Sequence, residues 1–170
     1  MNLRKLFLLI VVLCLAVPAF AQMSGERGKA QATVNGKAIT IDYGRPSLQG
    51  RDMLSQAQPG MVWRLGMNQA TNIETAGDLI IAGKTLPAGK YTLWAKKVGD
   101  KNWVLAFHPK TGIWGQPEMT EGFVAELPLT MGVAKDSAEQ LTISLADMKG
   151  KAGIRIQWGT ALLSGSFGVK

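Results

Sequence analysis

Apolar and polar residues alternate with a period of two along most of the chain, the spacing of strands with one face in a core and one in water. Ala32 and Val34 lead into Asn35-Gly36, a pair that accepts the positive φ of a two-residue hairpin turn; Ile39, Ile41 and Tyr43 then alternate with Thr40 and Asp42. After Gly89, the residues Tyr91, Leu93 and Ala95 alternate with Thr92, Trp94 and Lys96. Gly99-Asp100 turns the chain, and Trp103, Leu105 and Phe107 alternate with Val104 and Ala106. Leu141, Ile143 and Leu145 are spaced to pair with Ile154, Ile156 and Trp158 across a turn at residues 150–153. Apolar runs at 73–76, 79–82 and 123–131 complete the set. Short strands with turn residues at near-regular intervals predict an all-β fold, a single antiparallel β-sandwich with a jelly-roll-like arrangement as its variant. Only residues 51–58 and 134–140 leave room for a helical turn. The longest stretch without strand pattern is 44–60, and loops of that length in compact domains often carry function.

The N-terminus breaks the pattern. Arg4 and Lys5 precede an unbroken apolar run at 6–17, and Ala19-Phe20-Ala21 supplies the small-x-small signature read by a signal peptidase. The run is shorter than the roughly 20 residues of a membrane-spanning helix. Residues 1–21 are therefore expected to be a cleaved signal peptide, leaving one domain over 22–170, periplasmic or secreted and without a transmembrane anchor. Cys14, the single cysteine, leaves with the leader, so the domain must be held by its core alone. A domain of about 150 residues buries enough surface to manage this. Loss of Arg4 and Lys5 lowers the formal charge from +7 to +5. The remaining cations are scattered, with local pairs only at Lys96-Lys97 and Lys149/Lys151, so no nucleic-acid footprint is expected.

Several longer stretches carry a resemblance. Tyr43-Gly44-Arg45-Pro46-Ser47-Leu48-Gln49-Gly50-Arg51 is followed by Val62-Trp63-Arg64-Leu65-Gly66-Met67-Asn68-Gln69-Ala70-Thr71, then by Gly83-Lys84-Thr85-Leu86-Pro87-Ala88-Gly89-Lys90-Tyr91. With Trp103, Trp114-Gly115 and Trp158-Gly159-Thr160, this order resembles a bacterial family known as domain of unknown function 2911 (DUF 2911). The resemblance implies a secreted or periplasmic β-rich domain and no particular activity. Residues 118–126 depart from the family pattern.

Polar chemistry concentrates in the first two stretches. Arg45, Arg51, Trp63, Arg64 and Asn68 form the candidate ligand site: arginine offers a planar fork of donors to carboxylate or phosphate, and tryptophan a face on which a sugar ring stacks. The structural alternative has these arginines tying loop carbonyls down or pairing with Asp42, Asp52 or Glu74. His108, the only histidine, lies opposite Trp103 and Phe107 next to Pro109 and reads as a strand-end surface residue without a nucleophile motif. Trp103 and Trp158 fall in phase with core aliphatics, whereas Trp94 and Trp114 fall on exposed positions. One histidine and no mature cysteine do not make a zinc site, and the methionines are too dispersed for a copper cluster; no metal or cofactor is expected. Glu118, Glu121 and Glu126 are close in sequence with nothing to set them across a cleft. The leading expectation is a non-catalytic binding module for an anionic or glycan small molecule. The alternatives are an envelope hydrolase using His108 or a carboxylate, and a domain that docks on another envelope protein.

Overall fold

The computed structural model describes residues 26–112 and 120–170. The signal-peptide reading and Trp114, Gly115 and Glu118 lie outside the described residues. Ten strands follow one another: β1 (Arg27–Val34), β2 (Lys37–Gly44), β3 (Val62–Trp63), β4 (Asn72–Thr75), β5 (Leu79–Ile81), β6 (Lys84–Leu86), β7 (Gly89–Lys97), β8 (Asn102–His108), β9 (Ala125–Asp147) and β10 (Lys151–Val169). Every pairing is antiparallel, in the order β1-β2-β4-β7-β8-β9-β10-β5-β6, with β3 beside β7 on the edge that β4 also uses. The strands are thus all β and antiparallel, as expected. They are joined in one continuous sheet, so the pairing draws no division into the two sheets of a sandwich. Among the described residues, no helix is long and apolar enough to cross a membrane.

Turn chemistry sets the hairpins. Asn35 and Gly36 both have positive φ (50° and 74°) and hold Val34 opposite Lys37. Ala82-Gly83 does the same between β5 and β6, and Lys149-Gly150 between β9 and β10, two residues earlier than the sequence pattern places that turn.

The last two strands are far longer than the rest, and their side-chain pattern explains a kink. Along β10 the buried set passes from Ala152, Ile154, Ile156 and Trp158 to Ala161, Leu163, Phe167 and Val169. A change from even to odd positions needs an irregularity, and the register slips between Gln157 and Ala161, with Gly159 at φ 67°. Opposite it, Ala138 faces Gly159 while Val133 faces Ala161, so residues 134–137 of β9 bulge outward against Thr160 alone. The segment expected to have room for a helical turn is therefore a strand excursion, pinned where Gln157 Nε2 donates to the Asp136 carbonyl at 2.7 Å.

The sheet's path also returns to itself. The Tyr43 hydroxyl, buried at the end of β2, accepts the Ile143 N–H at 3.0 Å and donates to the Ile143 carbonyl at 3.3 Å. Beyond β2, Leu141 N–H donates to Pro46 and Leu48 N–H to Glu139. The edge of β9 from Glu139 to Ile143 is thereby covered, and the enclosed core runs from Ile39, Ile41 and Ile73 through Leu93, Trp103 and Leu105 to Ile156 and Phe167.

β7 and β8 are buried on both faces. Their second face carries Trp94 and Ala106, capped by Val62 and Phe123. Trp94 is 5% exposed, so its predicted surface position is corrected: β3 and the Phe123 segment lie over it.

Among the described glycines Gly44 has the least room, because a Cβ there would run into the Met67 backbone. Gly44→Ala is expected to cost about 3 kcal/mol or more, since backbone cannot yield as a flexible side chain does. Gly36→Ala has open space and only left-handed strain to bear, and should cost about 1 kcal/mol. Urea unfolding of the two variants checks the ranking.

Candidate functional site

The five residues singled out from sequence occupy different surroundings. Arg45 Nη1 pairs with Glu26 at 2.6 Å and its Nε donates to the Leu141 carbonyl at 3.3 Å, so it fastens the 43–48 segment to β9. Arg51 is exposed and its Nε reaches the Leu48 carbonyl at 3.4 Å. Trp63 stacks on Trp158 with ring centroids 5.8 Å apart and planes 7° from parallel, spending its face on the protein itself. Arg64 follows β3 directly and is half-buried. Asn68 stands in the left-handed region at φ 58° and alone of the five lines a described groove. Asp42, Asp52 and Glu74 take other partners: Arg27, the Ser55 N–H and Lys90 respectively.

The loop from Leu65 to Thr71 is shaped from within. Leu65 is buried at φ 54°, and its carbonyl accepts the buried Thr71 hydroxyl at 2.6 Å. A Cβ on Gly66 would meet that hydroxyl at 2.9 Å, which accounts for glycine there. This loop rises beside the non-core face of β2, β4 and β7, where strand register sets up a polar row. Asp42 stands opposite Asn72, Asn72 opposite Thr92, and Thr92 opposite His108. A second row brings Thr40, Glu74 and Lys90 together.

Each member of the first row is bonded in place. Arg27 forks onto Asp42, with Nε at 2.6 Å, and reaches the Ala70 and Gln69 carbonyls at 3.4 and 3.5 Å. Asn72 Nδ2 donates to the Ala70 carbonyl at 3.2 Å, leaving Oδ1 turned to Thr92. The Thr92 hydroxyl lies 3.0 Å from Asn72 Oδ1 and 2.8 Å from the Lys110 carbonyl. A hydroxyl has one proton for these two acceptors, so one of them keeps acceptor capacity at any moment. His108 is 5% exposed, not a surface residue; its Nδ1 accepts the Lys110 N–H at 3.0 Å and its ring meets Phe123 edge-on.

Between the 68–70 loop and the 111–112 segment run two adjoining hollows that share Gln69 and Asn72. One, about 250 Å³, is lined by Arg27, Thr40, Asp42, Glu74, Lys90 and Thr111 besides these two; the other, about 470 Å³, by Asn68, Ala70 and Gly112. Volumes of this order suit a small ligand. Both cations in the groove are matched, Arg27 by Asp42 and Lys90 by Glu74 at 3.1 Å. What it offers is an even supply of carboxamide, hydroxyl and carbonyl groups, without excess charge. Arg27 and the Asn72-Thr92-His108 row escaped the sequence reading because cross-strand register, invisible in one sequence, is what aligns them. No group of three or more His, Cys, Asp or Glu suited to a metal occurs among the described residues.

Thr92→Val should cost about 1–2 kcal/mol in urea unfolding, because it strips the partner from a part-buried carbonyl, and should speed amide exchange at Thr111 and Gly112. The ion pair at Glu26 gives a pH test. Glu26 is held below its ordinary 4.5, first by the Gln140 hydrogen bond and then by the Arg45 charge. A lowered carboxylate value stabilises the fold above the unfolded-state value and loses that contribution as pH falls through the folded one. Wild type should therefore exceed Glu26→Gln in urea midpoint at neutral pH, the gap narrowing below 4.5.

No curated protein and no solved structure matches the chain. A family model matches residues 25–166, a span that holds the groove and every strand but the last three residues of β10. The chain belongs to the family described as Protein of unknown function (DUF2911).

Proposed function

We propose that the protein is an exported, non-catalytic binding domain whose polar groove takes a neutral, hydroxyl-rich ligand of the glycan class. The observation that carries this is the charge balance of the groove: each of its two cations already faces a carboxylate. An anionic ligand would have to displace Asp42 or Glu74, whereas sugar hydroxyls, which both donate and accept, match the mixed lining of Gln69, Asn72, Thr40 and Thr111. Thr40 and Asn72 stand on paired strands and Arg27 reaches the Gln69 carbonyl, so these groups need little ordering in the binding step. Arg45 and Trp63, tied to Glu26 and Trp158, line neither hollow and have no part in this reading.

A hydrolase centred on His108 gains no support from its surroundings. The Nδ1 lone pair is taken by Lys110 N–H, Gly122 lies toward Nε2, and Phe123 lies edge-on. Export rests on the basic, apolar and small-x-small succession of residues 1–21. Mass spectrometry of the protein from its native host should find Gln22 at the mature N-terminus; an intact Met1 end would remove the export part of the proposal.

Binding is tested by amide chemical shifts against neutral hexasaccharides, with sodium sulfate as the anionic control. The expected result is saturable movement at Gln69, Asn72 and Thr111 with a sugar and none with sulfate. Asn72→Ala should weaken the interaction about tenfold, the loss of a well-placed polar contact or two. Sulfate moving these amides, or no sugar moving them, would reject the neutral-glycan reading.

A further inference from the structure

A second groove, of about 520 Å³, is built from β9, β10 and the turn that joins them. Ser144, Met148, Arg155, Leu162, Ser164 and Ser166 line it. In a straight strand Arg155 and Ser166 would stand about 36 Å apart, at roughly 3.3 Å per residue. They share one groove because β10 is bent by the register slip at Gln157–Ala161. The hollow is thus a product of the irregularity that the change of buried phase in β10 demands.

Its chemistry differs from that of the polar groove. Arg155, opposite Ser144 in register, has no hydrogen bond or ion pair among the described residues. The acid nearest in sequence, Asp147, is engaged by the Gly150 N–H at 2.8 Å. Lys149 and Lys151 at the hairpin turn add positive charge. Beside the guanidinium lies an apolar wall. Met148 is 57% exposed, one of the few large apolar side chains so open, and its sulfur occupies the space that a side chain at Gly153 would fill. Leu162 extends the apolar surface. An unmatched cationic fork next to apolar surface fits a molecule with an anionic end and an apolar body: the fork takes a carboxylate through two parallel charge-assisted bonds, and the body covers Met148 and Leu162.

We propose that this groove binds a small amphiphilic carboxylate, its head on Arg155 and its apolar body along Met148 and Leu162. The single fork matches one carboxylate, and the serine hydroxyls flank the head. The site is separate from the polar groove, with which it shares no residue.

The test uses sodium decanoate below its micelle-forming concentration, followed by amide and methionine-methyl shifts of the protein. Saturable movement is expected at Arg155, Ser164 and Met148, with decanol binding at least about tenfold more weakly. Arg155→Ala should weaken decanoate about tenfold or more while leaving spectral dispersion intact, because the residue is exposed and has no hydrogen-bond or ion-pair partner among the described residues. Arg155→Lys, which keeps the charge and loses the fork, should fall between. Ser164→Trp, which fills the groove and leaves Arg155 in place, should abolish binding. Equal affinity for decanol and decanoate, an unchanged affinity in Arg155→Ala, shifts at Gln69 and Asn72 instead, or no saturable shift would each overturn the proposal.

Discussion

One tyrosine hydroxyl settles how this sheet closes. A strand as long as β9 cannot find partners along both edges for its whole length: β8 pairs only Ala125–Thr130 and β10 takes the other side. On the edge beyond the reach of β8, at Ile143, a backbone N–H and carbonyl would face the interior unpaired, at a penalty larger than most single contacts contribute. Tyr43 answers both with one oxygen, and the chain that follows it, through Pro46 and Leu48, continues the repair along the same edge. The position of the 44–60 loop follows from this. It starts as a patch on β9, which is why Arg45 points at Leu141 and Glu26.

A second constraint acts on the central strands. Being buried on both faces, β7 and β8 need cover on the side away from the main core, and three short pieces supply it: β3, the Phe123 segment and the turn after His108. Each is too short to be stable alone and is held by a specific contact. Lys96 lies 5.2 Å over the Phe123 ring and 2.6 Å from Glu126, and Thr92 and His108 hold Lys110 from both its backbone groups. Where the cover stops, above β2 and β4, the same face turns polar and becomes the groove. Packing on one half of the face thus fixes the wall of the site on the other.

How much of this was legible in the sequence depends on whether the feature is local. Period-two alternation located β1, β2, β7 and β8, and Asn35-Gly36 located their first hairpin, because both signals live within a few residues. The bulge at 134–137 falls in a stretch whose sequence leaves room for a helical turn: its polar residues carry no alternation once the strand leaves the sheet. Alternation puts Trp94 and His108 at the surface because it knows two faces and takes one for water; it cannot see that both faces of a strand are covered. Nearness along the chain drew Arg45, Arg51, Arg64 and Asn68 into one candidate site, yet two of these arginines bond backbone carbonyls of the 43–48 and 141 region. Arg27, forty residues from the loop it holds, had no local signal at all.

The first hairpin and the last strand finish the same piece of interior. Asn35 Nδ2 donates to the carbonyls of Gly150 and Val169, at 3.1 and 2.8 Å, and Lys170 N–H reaches Asp78. During synthesis the opening hairpin therefore waits through more than a hundred residues for its partners. The sheet cannot be sealed one piece at a time behind the ribosome, since the Gly150 and Val169 carbonyls emerge more than a hundred residues after Asn35. Such a chain pays most of its loop-closure entropy before the long-range pairings reward it, and folding should be slow and abrupt.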